Sequence, residues 1–121
     1  MAKVFGIGGI FFKSKDPDKL IEWYTKWLGM DFGEYKSTEF KKEQLPEKWF
    51  GVISPFKLTT DYFNPSKKDF MINLVVDDVD EALEQVKEGG GQITGEIERH
   101  EYGTFGWFID PEGNKVELWK P

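Results

Sequence analysis

The sequence predicts an α+β fold built from two βαβββ units within a single domain. Three observations predict it: two helices are capped at both ends, extended patterns precede and follow each, and the two halves repeat this order. The chain has 121 residues, enough for one hydrophobic core shared by two such units.

The first helix opens at Asp16-Pro17-Asp18. The aspartate can accept from an orphan backbone N–H, proline suits the first helical position, and the second acid faces the positive helix end. Leu20, Ile21, Tyr24, Trp27 and Leu28 then recur at helical spacing, and Gly29 supplies the stop. The second helix opens at Asp77-Asp78, carries Val79, Ala82, Leu83 and Val86 on its apolar face, and stops at Gly89-Gly90-Gly91. Strands are expected ahead of the helices, at Val4 to Phe12 and Phe70 to Val76, and after them, at Met30 to Tyr35 and Gln92 to Ile97. Trp49 to Ile53 is a further strand candidate. Tyr102 to Ile109 and Lys115 to Trp119 read as a hairpin around Asp110-Pro111-Glu112-Gly113-Asn114, where proline presets φ and glycine takes the positive-φ place. Residues Lys36 to Lys48 read as a polar loop or a short helix.

The halves align. Asp16 matches Asp77, Ile21 matches Ala82, Gly29 matches Gly90 and Phe32 matches Ile93 at one offset. Gly9 matches Met71 and Phe12 matches Leu74 at an offset one residue longer. A degenerate duplication explains this, joined near Asn64-Pro65-Ser66-Lys67, with units of about residues 1–66 and 67–121. The alternative is two unrelated capped helices in one α+β domain.

Composition narrows the function. Hydrophobic residues are 39% and charged residues 31%, a globular profile. The formal charge of −6 repels phosphate backbones and anionic lipid, so neither nucleic acid nor a membrane is an expected partner. The longest apolar runs, such as Ile10-Phe11-Phe12, are too short to span a bilayer. The first residues lack the pattern of a secretory signal, so the expected address is cytoplasmic. There is no cysteine, hence no disulfide and no thiolate chemistry. Aromatic residues reach 17%, with five Trp and eleven Phe, more than one small core holds easily; some are expected to line a cavity or an interface.

The run SKDPDKLIEWYTKWLGM, the second-half run VVDDVDEALEQVKEGGG and the closing FIDPEGNKVELW resemble the vicinal oxygen chelate superfamily. That group includes glyoxalase I, bleomycin-resistance proteins, fosfomycin-resistance enzymes and extradiol dioxygenases. The resemblance covers nearly the whole chain. It implies curved mixed sheets around a cleft with helices outside and, in metal-dependent members, four inward side chains that hold a divalent ion. Carried over, those positions fall on Gly9, Met71 and Glu117, with Asp61 the nearest acid for the fourth. Glycine offers no ligand atom, and a thioether is a poor ligand for hard or borderline ions. The resemblance therefore implies a small member lacking the usual metal site, with no metal and no cofactor.

Strand parity places the same cleft independently. Val116 and Leu118 would face the helices, sending Lys115, Glu117 and Trp119 inward. Ile72, Leu74 and Val76 would face the helices, leaving Met71, Asn73 and Val75 for the cleft. Parity thus gives Phe11, Met71, Asn73, Trp107 and Trp119 as the expected ligand-binding residues and Glu117 as the polar anchor or a catalytic acid/base; the resemblance, through its loosely aligned middle stretch, adds Tyr62 at the edge. His100, the sole histidine, lies in a charged run and reads either as a general base at the cleft mouth or as a solvated loop residue. Gly6-Ile7-Gly8-Gly9 lies within a strand pattern, which rules out a phosphate loop, and no serine has a nearby histidine. Three functions remain: a metal-free module binding a small planar or apolar molecule, which is favoured; an enzyme, lyase- or dioxygenase-like, using Glu117 as acid/base or in a nonstandard metal site; and a protein whose aromatic surface serves a dimer contact only. A homodimer is expected, because open sheet edges and clefts want partners.

Overall fold

The computed structural model describes residues 1–121 except Val4 and Gly6. Its elements are α1 (Pro17–Leu28), one turn of 3-10 helix (Lys42–Gln44), β1 (Ile72–Val75), α2 (Val79–Glu88), β2 (Gln92–His100), β3 (Gly103–Ile109) and β4 (Lys115–Lys120). Both helices start where the caps direct. Asp16 accepts from the Lys19 N–H and Asp78 from the Glu81 N–H, each relieving a helix-start donor. Gly29, at φ 63°, ends α1 in the left-handed conformation that glycine tolerates best.

The four strands form one mixed sheet in the order β1-β4-β3-β2. β1 runs parallel to β4, which is reached through the α2 crossover and the β2–β3–β4 meander. Alternation then decides which side chains meet the helices. Phe108, Val116 and Leu118 are fully buried beneath Val79, Ala82, Leu83 and Val86 of α2, and Leu20, Trp23 and Tyr24 of α1 complete this core. Gly106 sits on the same face where α2 comes closest. A Cβ there would lie 2.7 Å from Leu83 Cδ1 and 2.9 Å from Val79 Cγ1. Gly106→Ala is accordingly expected to cost about 1–3 kcal/mol, read as a shift in the urea midpoint at unchanged slope.

Helix α1 lies on the sheet made by the second half of the chain. Trp23 Nε1 donates to the Gly89 carbonyl and Gln85 Nε2 to the Trp27 carbonyl, both at 2.8 Å. The Glu112 carboxylate accepts from Ser14 Oγ and from the Lys15 and Asp16 N–H groups at the entrance to α1. This arrangement corrects the expectation of a second sheet. No ladder joins the segments expected as strands at Met30 to Tyr35 and Trp49 to Ile53, nor the described part of Val4 to Phe12. A strand needs a partner for its backbone groups and a cover for one face. With α1 committed to the other sheet, these segments run without either, and Ile7, Ile10, Phe11, Val52 and Ile53 are exposed. β2 also runs further than expected, to His100, which makes that residue the end of a strand rather than part of a loop. Among the described residues no helix is long and apolar enough to cross a membrane.

Tyr24 is buried and donates to Asp110 Oδ2 at 2.8 Å. Burial, with the Asp110 charge and hydrogen bond, pushes its phenol far above the ordinary tyrosine value. A phenol whose folded pKa exceeds its unfolded one stabilises the fold fully below the unfolded value. That contribution declines as pH rises beyond it, because the unfolded chain releases its proton first. Stability should therefore fall from about pH 10 upward, and Tyr24→Phe should flatten that fall; urea midpoints taken across the alkaline range test this.

Candidate functional site on the helix-free face

Parity sends Trp107 of β3, Lys115, Glu117 and Trp119 of β4, and Asn73 of β1 to the face away from the helices. Strand register then sets them side by side. Glu117 pairs across the ladder with Trp107 on one side and with Asn73 on the other. The carboxylate is met from three directions. Its Oε2 accepts from Trp107 Nε1 at 2.7 Å and from the Tyr62 hydroxyl at 2.8 Å, and its Oε1 accepts from Asn73 Nδ2 at 2.7 Å. Tyr62 arrives from the segment before β1, and its phenol is pushed well up by desolvation first, and then by its hydrogen bond to Glu117.

Lys115 lies two positions before Glu117 and is buried. Its ammonium donates to the Tyr62 carbonyl at 2.6 Å and stands 5.2 Å from the Tyr62 ring centroid and 6.0 Å from that of Trp107. Burial lowers its pKa, against the opposing influence of Glu117 and Asp61. Farther along the face, Trp119 stacks on Phe105 and meets the edge of Phe50. Phe56 stacks on Tyr62 at 5.5 Å, so residues of the middle segment partly roof the sheet. A groove of about 180 Å³ opens beside the cluster, lined by Tyr62, Thr94, Gly95, Glu96, Glu98, Trp107 and Lys115. A larger trough, about 580 Å³, runs along the other side of β2 against α2, where Leu83, Ile93 and Ile97 line it. The carboxylate–indole–phenol cluster lies on the opposite face, so the smaller groove is the one with convergent chemistry.

Of the residues expected in the cleft, Tyr62, Asn73, Trp107, Trp119 and Glu117 share this face. Met71 is half-buried one residue before β1. Phe11 does not join them: it is 95% exposed, because the segment carrying it pairs with no strand. Phe50, Phe56, Glu96 and Glu98 were not anticipated in the cleft. The β2–β3 register shifts between Thr94 and Glu98, with Gly95 at φ 71°, yet alternation survives: Thr94, Glu96 and Glu98 line this groove while Ile93 and Ile97 face the helix side, so strand parity carried the signal for both acids. Phe50 lies in the Trp49 to Ile53 stretch, which joins no ladder, and Phe56 in a stretch with no periodic pattern to read. His100 stands at the end of β2 beside Glu98, one of the two acids expected near it. Its Nε2 lies 3.0 Å from Glu98 Oε1, and its ring stacks on Tyr102 at 4.8 Å.

The side chains at the expected metal positions do not suit a divalent ion. Both Glu117 oxygens face N–H or O–H donors, which present hydrogens where a cation would have to sit, and Gly9 brings no donor atom. Among the described residues no three His, Asp or Glu side chains converge as a metal-holding group.

The architecture is that of a small α+β protein in which helices cover one sheet face and an ordered aromatic and polar cluster occupies the other. The chain belongs to the Glyoxalase/Bleomycin resistance protein/Dioxygenase superfamily, whose family model matches residues 6–118. It is 31% identical to a lactoylglutathione lyase of Escherichia coli O157:H7 over 121 aligned residues, covering 85% of this chain and 83% of the relative. Among solved structures it is similar to TnmS3, an antibiotic binding protein from Streptomyces sp. CB03234, with 21% identity, TM-score 0.53 and 88% of each chain covered. A superfamily member from Sphaerobacter thermophilus DSM 20745 has 23% identity and TM-score 0.52, covering 89% of this chain and 90% of its own. At these identities the structural likenesses establish the fold.

Proposed function

We propose that this protein binds a small, planar or largely apolar molecule on the helix-free face of its sheet, without a metal or cofactor. The observation that carries the reading is the floor formed by Trp107 and Trp119. Two buried indoles, Trp107 hydrogen-bonded to Glu117 and Trp119 stacked on Phe105, lie on a face that in an ordinary two-layer protein would be plain and solvated. Rigid aromatic surface next to a few fixed polar atoms is what a small-molecule site requires. A structural neighbour described as an antibiotic binding protein shows that this fold can serve binding. The similarity to a lactoylglutathione lyase favours the alternative, an enzyme of lyase or dioxygenase type working through Glu117. Against that alternative, Glu117 already holds three donors, so moving a proton through it would first require one of them to leave. Titration with quinoline as a planar probe should quench tryptophan emission saturably. Emission unchanged to the solubility limit of the probe would count against the reading. Elemental analysis after dialysis should find Zn, Ni, Fe and Mn well below one equivalent.

The same reading includes a homodimer in which first-half segments, paired as βαβββ units, complete the cleft. Its support is the set of exposed apolar side chains on unladdered segments, from Ile7 to Phe12 and from Trp49 to Leu58, since exposed apolar surface of this kind marks an interaction site. Sedimentation at micromolar concentration should report a dimer; a monomer throughout would remove this part of the proposal.

A further inference from the structure

We infer that Lys115 is a nucleophilic amine poised in the groove beside Trp107 to take small planar carbonyl compounds as an imine. The inference rests on the binding function proposed above and names the chemical class that the same site would hold.

Three features single this lysine out. It is buried, whereas a lysine is ordinarily among the most exposed of residues. Its amine is in no ion pair among the described residues; its hydrogen-bond partner is a neutral carbonyl, that of Tyr62. Its flanks are the Tyr62 and Trp107 rings, and it lines a groove that opens to solvent. An amine so placed loses hydration without a carboxylate in contact to fix its charge. Desolvation lowers its pKa, and Glu117 and Asp61, the acids that oppose this, do not reverse it. A lowered pKa raises the share of a lysine present as the nucleophilic free amine. The volume of about 180 Å³ is below the ~300–1,000 Å³ of drug-sized sites, which limits the occupant to about one ring. A flat carbonyl compound lying against the Trp107 and Tyr62 rings brings its carbonyl carbon to the amine.

The step balances without a co-reactant. The unprotonated amine adds to the carbonyl carbon, forming the C–N bond, and the former carbonyl oxygen takes up a proton while nitrogen releases one to solvent. The carbinolamine oxygen then takes a proton from solvent and leaves as water, its C–O bond breaking as the nitrogen lone pair forms the C=N bond of a protonated imine. No electrons are exchanged.

The test is reductive trapping with benzaldehyde and cyanoborohydride at pH 7, followed by peptide mapping. Benzyl alcohol serves as the matching ring without a carbonyl. The inference expects modification of Lys115 several-fold ahead of every other lysine, with its labelling rate reaching half-maximum at a lower pH than theirs. Benzyl alcohol should quench tryptophan emission and slow that labelling. Lys115→Arg removes the primary amine, so the privileged adduct should disappear from the peptide map. Labelling spread evenly over the lysines, with benzyl alcohol still bound, would overturn the imine inference and leave the binding function intact. Failure of benzyl alcohol and benzaldehyde alike to perturb tryptophan emission would overturn both.

Discussion

Asp110→Ala is expected to lower unfolding stability by about 3 kcal/mol or more. Asp110 is buried at the start of the β3–β4 turn, and its carboxylate is the acceptor for four donors. Oδ1 accepts from the Glu112 and Asn114 N–H groups, and Oδ2 accepts from Asn114 Nδ2 and the Tyr24 hydroxyl. Truncation leaves these donors without the carboxylate, and each donor that stays buried and unpaired costs about 1–3 kcal/mol. Part of the loss is tertiary, because the Tyr24 bond ties α1 to the hairpin. Asp110→Asn keeps the shape and one acceptor oxygen while placing an amide against the remaining donors, so its effect should be intermediate. Tyr24→Phe removes one donor together with its bond and should cost about 1 kcal/mol. Urea unfolding of the three variants should reproduce that order; an Asp110→Ala variant as stable as the parent would contradict the role given to the turn.

Glu117→Ala is expected to cost about 2 kcal/mol and to abolish the response to planar probes. The indole of Trp107 can only donate, so it has no alternative use for its N–H once the carboxylate is gone. Tyr62 and Asn73 are exposed enough to turn to water, and the ordered floor would be lost with them. Glu117→Gln should be much milder. Its oxygen can accept from Trp107, its amide can donate to a reoriented Asn73, and the Tyr62 hydroxyl can adapt. Binding retained in Glu117→Gln and lost in Glu117→Ala is therefore the expected pair. If a catalysed reaction is found instead and Glu117→Gln alone abolishes it with the fold intact, the carboxylate is an acid/base and the enzyme reading prevails.

The elements that were legible in the sequence are those whose signals are local. Asp16 and Asp78 cap their helices through side-chain chemistry that needs no distant partner. The Asp110 to Asn114 turn carries its own hydrogen bonds and fixes the β3–β4 register. That register in turn made parity reliable for Trp107, Glu117 and Trp119. Where pairing depends on another segment, pattern was a weaker guide. Residues Val4 to Phe12 have a strand-like composition, but nothing in their own sequence supplies the neighbour that would complete a ladder, and Phe11 is correspondingly absent from the site. Glu96 and Glu98 follow Thr94 at alternate positions and line the groove, so parity in β2 carried their signal, though the expected strand stopped at Ile97 and the strand runs on to His100. The role of Glu117 was also only half visible. Parity placed it on the correct face, but not the three donors that occupy it, because Tyr62 comes from a stretch without periodicity.

The indole N–H signals in a ¹H–¹⁵N spectrum, followed through a quinoline titration in the presence of a chelator, test the central claim most directly. Trp107 and Trp119 lie on the helix-free face, whereas Trp23 belongs to the core on the other side and Trp27 packs against that core. Metal-free binding at the proposed site predicts that the Trp107 and Trp119 signals move saturably and together, while those of Trp23 and Trp27 stay in place. Signals that move only when a divalent metal is supplied, or a response led by Trp23 and Trp27, would contradict it.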